Sequence, residues 1–402
     1  MRPSPEREAS AGAAGKGGGR TGKMNDTAPA IRIPVADAEL GEPEVEAVAK
    51  VLRSRWLTAG AVCARFEDEF KKLVGGAHVL ATTNCTAALH MAYLALDVRP
   101  GDEVLLPTLS FVATANAARL AGAVPVFVDC TSESDFNIDP VELERRIGPR
   151  TAAIAVVHYG GYPCAMDDVL RIAARHGVPV VEDCAHAPGG TLHGKPVGTL
   201  GDIGCFSFFG NKNITTGEGG AVVTRRDDLA QRLRLLRSHG MTTLTWDRHQ
   251  GHASTYDVLV PGLNYRFDEL RAAIGLCQLE RLADNNARRA KVVRAYRSAL
   301  TDIEGLVIPF ADRDESTFHL FPVVLPVGTD RDAVMAHLRA AGIGTSVHYP
   351  PTHLFTAYRG SSPSLPRAES LAPRILTLPL YPALSAEDVA FVADQLKAAL
   401  KT

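Results

Sequence analysis

A lysine set between two apolar strands constrains this chain more than any other feature. Gly201-Asp202-Ile203-Gly204-Cys205-Phe206-Ser207-Phe208-Phe209-Gly210-Asn211-Lys212-Asn213-Ile214-Thr215-Thr216-Gly217-Glu218-Gly219-Gly220 reads as a short buried strand followed by a polar, glycine-rich turn carrying Lys212. A second apolar strand follows at Ala221 to Thr224. Desolvating an ammonium is costly unless its pKa falls or a partner neutralises it. A lysine in such a setting can be neutral near pH 7, and a neutral amine attacks carbonyls to form Schiff bases. The ordinary alternative is a loop lysine whose charged head stays in water. Other stretches serving the same chemistry decide between the two.

The chain upstream alternates regularly. Apolar strand candidates lie at Val79-Leu80-Ala81, Glu103 to Leu106, Val124 to Val128, Ala152 to Val157 and Val178 to Val181. Helical spacing marks Thr86 to Leu96, Ala113 to Ala121, Pro140 to Ile147 and Asp167 to His176. Strands alternating with helices of this length predict a mostly parallel sheet covered on both faces, with ligands at the carboxyl ends of its strands. Ahead of this region, Pro43 suits the first turn of a helix to Leu52, and a second helix runs from Phe66 to Leu73. Downstream, a long helical stretch from Phe267 to Leu282 continues through Arg288 to Leu300. Beyond it come strands at Leu306-Val307-Ile308, Phe318 to Leu325 and Gly344 to Val347, with helices from Arg331 to Ala340 and Ala386 to Leu400. A boundary near Asn285 divides a large unit, residues 31–285, from a small C-terminal α+β unit, residues 286–402. Residues 1–30 are rich in Gly, Ala, Ser, Arg and Pro and read as a disordered extension, with Met24 an alternative start.

Composition narrows the partners. A formal net charge of -2 gives no electrostatic case for nucleic acid or an anionic membrane. No apolar run is long enough to span a bilayer, and the N-terminus lacks the apolar core of a signal peptide. The seven cysteines are odd in number and scattered, with no C-x-x-C pair, as suits reduced thiols in a cytoplasmic protein. His249 and His252 are the nearest approach to a metal pair, and no bound metal is expected.

Four stretches taken together carry a family resemblance: Asn84-Cys85-Thr86-Ala87-Ala88-Leu89-His90, Val181-Glu182-Asp183-Cys184-Ala185-His186-Ala187, Phe206 to Gly220, and Gly262-Leu263-Asn264-Tyr265-Arg266-Phe267-Asp268-Glu269-Leu270. In this order, from about Ile33 to the C-terminus, the chain resembles the DegT/DnrJ/EryC1/StrS family of pyridoxal-phosphate sugar aminotransferases. That resemblance implies an α/β fold of the aspartate-aminotransferase type (fold type I) and pyridoxal 5'-phosphate as cofactor. Lys212 matches the amine that holds the cofactor, and Asp183 the carboxylate that keeps its pyridine nitrogen protonated and its ring an electron sink. Thr86 and Ala87 open a helix whose N-terminus suits a phosphate. Ser207 matches a second phosphate ligand, and Asn264 one donated by a neighbouring subunit, which implies a homodimer with shared active sites. Phe111 matches the aromatic residue that stacks on the ring. Cys85 stands where many members have Gly.

Four further positions keep two readings each. His186 matches a site near the ring but also suits a hydrogen-bonded structural histidine. His348-Tyr349-Pro350 and the loop around Arg248 resemble segments near the sugar or nucleotide, or are solvated loops. Arg266 binds a donor carboxylate or ties the turn before its helix. The implied reaction moves an amino group from L-glutamate to a nucleotide-linked keto sugar, with a 4-keto-6-deoxyhexose favoured because Phe208-Phe209-Gly210-Asn211-Lys212 resembles perosamine-synthase-like members. A keto-cyclitol acceptor is the alternative. A dehydratase is disfavoured because such relatives replace the lysine with histidine. A non-catalytic homologue is disfavoured because Lys212 and Asp183 are both retained.

Overall fold

The computed structural model describes residues 30–243, 251, 255–360 and 363–401. The expected N-terminal disorder, Arg248, His249 and His252 lie outside the described residues. Thirteen-residue helices α1 (Glu42–Ser54) and α2 (Ala61–Leu73) lead in. The strands that follow are β1 (His78–Thr82), β2 (Glu103–Pro107), β3 (Val124–Val128), β4 (Cys130–Ser132), β5 (Asp135–Ile138), β6 (Thr151–Val157), β7 (Val180–Asp183), β8 (Thr191–Leu192), β9 (Lys195–Pro196), β10 (Ile203–Ser207) and β11 (Gly220–Thr224). Seven of them form one sheet in the order β1-β11-β10-β7-β6-β2-β3. Since β11 is antiparallel to both of its neighbours while every other pair is parallel, β11 alone runs against the rest.

Helices α3 (Cys85–Ala95), α4 (Ala113–Leu120), α5 (Pro140–Arg146) and α6 (Met166–His176) lie between these strands, and α7 (Asp227–Arg237) follows β11. Alternate side chains of the strands enter different cores. Ala153, Ala155, Val181 and Cys205 pack with α3, α4 and α7, whereas Ile154, Val156, Val180 and Phe206 face the other layer. Both faces are therefore covered, which is why these strands read as continuous apolar runs. The same alternation sends Asp183 toward α3 and α4 and Glu182 to the opposite side.

Strand β7 begins two residues later than its apolar run predicts and ends on Asp183 itself. Pro179 has no N–H to give, and its carbonyl instead accepts from Ile154 N–H, so pairing with β6 starts at Val180. The helix Glu269–Ala299 is unbroken through Asn285, but it changes cores there: Ala272 and Leu282 pack under the sheet, and Val292, Val293 and Tyr296 belong to the C-terminal core. That second core holds the antiparallel pair β12 (Phe321–Val324) and β13 (Ile375–Leu378) with the helices Arg331–Ala340 and Ala386–Ala399. The expected strands at 306–308 and 344–347 shrink to single bridges, Val307 to Val324 and Ser346 to Thr377, because they meet the short pair from its two outer sides. No helix among the described residues is long and apolar enough to cross a membrane.

Candidate active site

The carboxyl ends of β1, β2, β7 and β10 open onto one cavity of about 370 Å³, a size suited to a small molecule. Asn84, Cys85, Thr86, Phe111, Asp183, His186, Ser207, Lys212, His348 and Tyr349 all line it, so most of the residues singled out in the sequence converge there.

Asn84 caps α3, its Oδ1 accepting the Ala87 N–H at 2.8 Å. This occupies Ala87, which was expected among the anion donors. The backbone N–H groups of Cys85 and Thr86 take no partner among the described residues and remain as the helix's free donors. They lie against Gly220 of β11, where an added Cβ would sit 2.6 Å from Asn84 C and 2.7 Å from Cys85 N. Those obstacles are backbone, so a larger residue must displace the helix start. Gly220→Ala is accordingly expected to weaken cofactor binding tenfold or more, read by titrating the cofactor's visible absorbance. Ser207 ends β10 and is buried. The Cys85 thiol approaches Asp183 Oδ1 at 4.0 Å, and burial raises its pKa well above the usual thiol value.

Asp183 is buried, with Oδ2 accepting from Thr114 Oγ1 at 2.7 Å and Oδ1 from Ala185 N–H at 3.1 Å. Burial raises its pKa, while those two bonds and the charge of Lys212 pull the other way. Lys212 is half-buried as a residue, yet burial of its amine pushes the pKa down to about 8, against a smaller pull upward from Asp183. The depth of Nζ decides this, since the stem lines an open cavity. Its one side-chain hydrogen bond with the described residues runs to His319 Nε2 at 3.4 Å.

His186 is buried and accepts the Gly160 N–H on Nδ1, so its Nε2 carries the proton and faces Tyr349 Oη at 2.9 Å. The two rings lie nearly parallel, and the exposed ring of Phe111 tilts toward Tyr349 from the cavity mouth. Burial, and then the nearby Lys212 charge, lowers the pKa of His186 well below the usual imidazole value and that of His348 to about 4. Both rings are neutral at physiological pH.

Arg266 and Asn264 stand apart from this cavity. Arg266 lines a separate cleft with Thr58, Glu67 and Arg237, and its backbone bridges to Thr82. Asn264 is exposed. Sequence reasoning missed Thr114, Asn213 and His319. The available signal for His319 was a lone histidine inside the apolar run Phe318 to Leu325. Behind the sheet, His158, Glu182 and Cys184 cluster closely. The Glu182 carboxylate there is taken by N–H groups of Gly198, Leu200 and Gly201 and by His158, which in turn accepts from Cys164 N–H.

An amine with a lowered pKa and a buried carboxylate at the strand ends of such a sheet suit a pyridoxal-phosphate-dependent aminotransferase of fold type I. The model of the DegT/DnrJ/EryC1/StrS aminotransferase family matches residues 38–397, and the chain belongs to that family. It is 38% identical over 379 residues, 92% of this chain and 97% of the relative, to the spore coat polysaccharide biosynthesis protein SpsC of Bacillus subtilis. Among solved structures it is similar to the putative sugar aminotransferase Spr1654 of Streptococcus pneumoniae in its PLP form, with 28% identity, 92% and 98% coverage and a TM-score of 0.85. It is also similar to DesI in the presence of its TDP-sugar product, with 33% identity, 93% and 94% coverage and a TM-score of 0.83. The cofactor is pyridoxal 5'-phosphate, and the cavity's donor set fits it: an amine for an aldehyde, a carboxylate for a ring nitrogen, and free N–H and hydroxyl donors for a phosphate.

Proposed function

We propose that this enzyme transfers the amino group of L-glutamate to a nucleotide-linked keto sugar, a 4-keto-6-deoxyhexose, giving an amino sugar. The observation that carries the reading is the meeting of Lys212, with its pKa lowered to about 8, and Asp183 in one cavity. DesI was solved with a TDP-sugar product, which supports a nucleotide-linked acceptor here. In this reading Lys212 holds the cofactor, Asp183 pairs with its ring nitrogen, and Cys85 N–H, Thr86 and Ser207 hold its phosphate. Phe111 and His186 flank the ring, and His348 and Tyr349 face the sugar. When bound, the cofactor supplies an electron sink for negative charge at the carbon bearing the amino group.

Lys212 Nζ then takes the proton from the donor's Cα, and in the second half it returns a proton to the sugar carbon that bore the ketone. One amine serves both directions, which requires a pKa near the working pH. His186 and His348, held neutral, do not compete for that proton. The same proposal places the enzyme in the cytoplasm as a homodimer, divided near Asn285 into a cofactor-binding unit and a smaller one. Asn264 supports the second copy, because it is exposed and follows Tyr256, Val258, Leu259 and Val260, all exposed apolar side chains.

Incubation with glutamate and a panel of dTDP-, UDP- and GDP-linked 4-keto sugars is expected to release 2-oxoglutarate only when a sugar is present. No turnover with any of them, or turnover with a keto-cyclitol alone, would remove this substrate class.

A further inference from the structure

We propose that His319 is a positioning residue for Lys212, held in one tautomer by Asn213 so that its Nε2 lone pair always faces the lysine amine. The orientation follows from fixed ends. Asn286 Nδ2 donates to the Pro188 carbonyl at 3.1 Å, which leaves Asn286 Oδ1 as an acceptor. Asn213 Nδ2 donates to that oxygen at 2.8 Å and to the Thr317 carbonyl at 2.7 Å. Main-chain carbonyls accept only, so both carboxamides are locked in orientation. Asn213 Oδ1 must then be the acceptor in its 2.9 Å contact with His319 Nδ1. The proton of the neutral imidazole therefore sits on Nδ1, and Nε2 presents a lone pair 3.4 Å from Lys212 Nζ.

Everything around His319 keeps it neutral. It is buried, and the charges of Lys212 and Arg289 disfavour a second positive charge there. Its ring lies 4.6 Å from that of His186, tilted by 30°, which limits rotation. An acceptor so held does two things for Lys212. It stabilises the ammonium whenever the amine carries the transferred proton. When the amine is neutral, donation of one N–H to Nε2 turns the nitrogen lone pair away from His319, toward the open side of the cavity. The pairing spans 107 residues and joins the strand ends to the C-terminal segment. The lysine would thus be correctly aimed only when the two parts of the chain are packed together.

The inference rests on Lys212 being the cofactor-binding amine, but its test needs no cofactor. Full-length protein freed of cofactor is acylated with acetic anhydride across pH, and the extent of Lys212 modification is read by peptide mass mapping. The groups facing Lys212 are Asp183, Cys85, His186, His319 and His348, and all but His319 stay unchanged in the variants. His319→Gln keeps an acceptor at the Nε2 position and should retain the wild-type midpoint. His319→Asn withdraws it and should lower the midpoint by about one pH unit, as expected when an ammonium loses one hydrogen-bond acceptor. Asn213→Ala, which frees the tautomer, should lower it as well. A wild-type midpoint in His319→Asn, or an equal fall in His319→Gln, overturns the proposal. If His319→Asn does not fold, an unchanged midpoint in Asn213→Ala overturns it alone. A misassigned Lys212 would show separately, as a pyridoxyl adduct mapped elsewhere after borohydride reduction.

Discussion

Lys212→Ala is expected to abolish pyridoxyl labelling of the 201–220 segment after borohydride reduction and to cut turnover by ~10⁴-fold. That is the upper end for a positioned proton-transfer group, because the same amine is also the nucleophile. With its pKa pushed from 10.5 to about 8, the amine is neutral roughly 300 times more often at pH 7 than a lysine in water. The sign of the pH dependence follows. Capture of the cofactor by wild-type apo-protein should rise about tenfold per pH unit up to about pH 8 and then level off. Stability also improves with rising pH, but in a higher window. A base whose folded pKa lies below its unfolded one destabilises the fold at low pH, and this cost fades as pH rises from about 8 to 10.5. The alanine variant should therefore melt no lower than wild type at pH 7, so that lost activity is not mistaken for unfolding. An adduct persisting on another residue, with turnover intact, would sink the assignment.

The parts of the site that were legible in the sequence share one property: they sit in short stretches where local pattern and chemistry coincide. Lys212 stands out because a charged residue interrupts two buried strands, and Asp183 because a carboxylate closes an apolar one. The parallel sheet was legible for the same reason, since strands buried on both faces leave unbroken apolar runs. What stayed hidden depends on contacts between distant stretches. Thr114 reaches Asp183 across 69 residues, and His319 reaches Lys212 across 107. A threonine in a helix and a histidine in an apolar run have no local mark of such partners. Strand β13, only four residues ending before Pro379, was too short for its period to show. Ala87 illustrates the opposite error. Its place at a helix start suggested a free donor, but the cap that makes the helix start also uses that donor.

Asp183→Asn is expected to cut turnover by ~10³-fold while leaving the borohydride adduct on Lys212. The substitution keeps the size, its one amide oxygen can still accept the Ala185 N–H, and the Thr114 hydroxyl can turn to accept from the amide nitrogen. Its main effect is to remove the negative charge. An opposite charge within a few ångströms shifts a partner's pKa by about 1–3 units, so its loss lowers the protonated fraction of a ring nitrogen by up to ~10³-fold. Burial matters to the size of this effect. It raises the pKa of Asp183, and what favours the ionised form against it is Thr114, Ala185 and the Lys212 charge rather than water. In so dry a setting a charge pair is screened far less than at the surface. The same substitution should lower the pKa of Lys212, because the Asp183 charge is the largest influence holding it up and a neutral amide holds it up less. A lower lysine pKa speeds cofactor capture at neutral pH even as turnover collapses. That divergence separates a charge acting on the ring from a carboxylate that merely props up the cavity, since a structural loss would slow both.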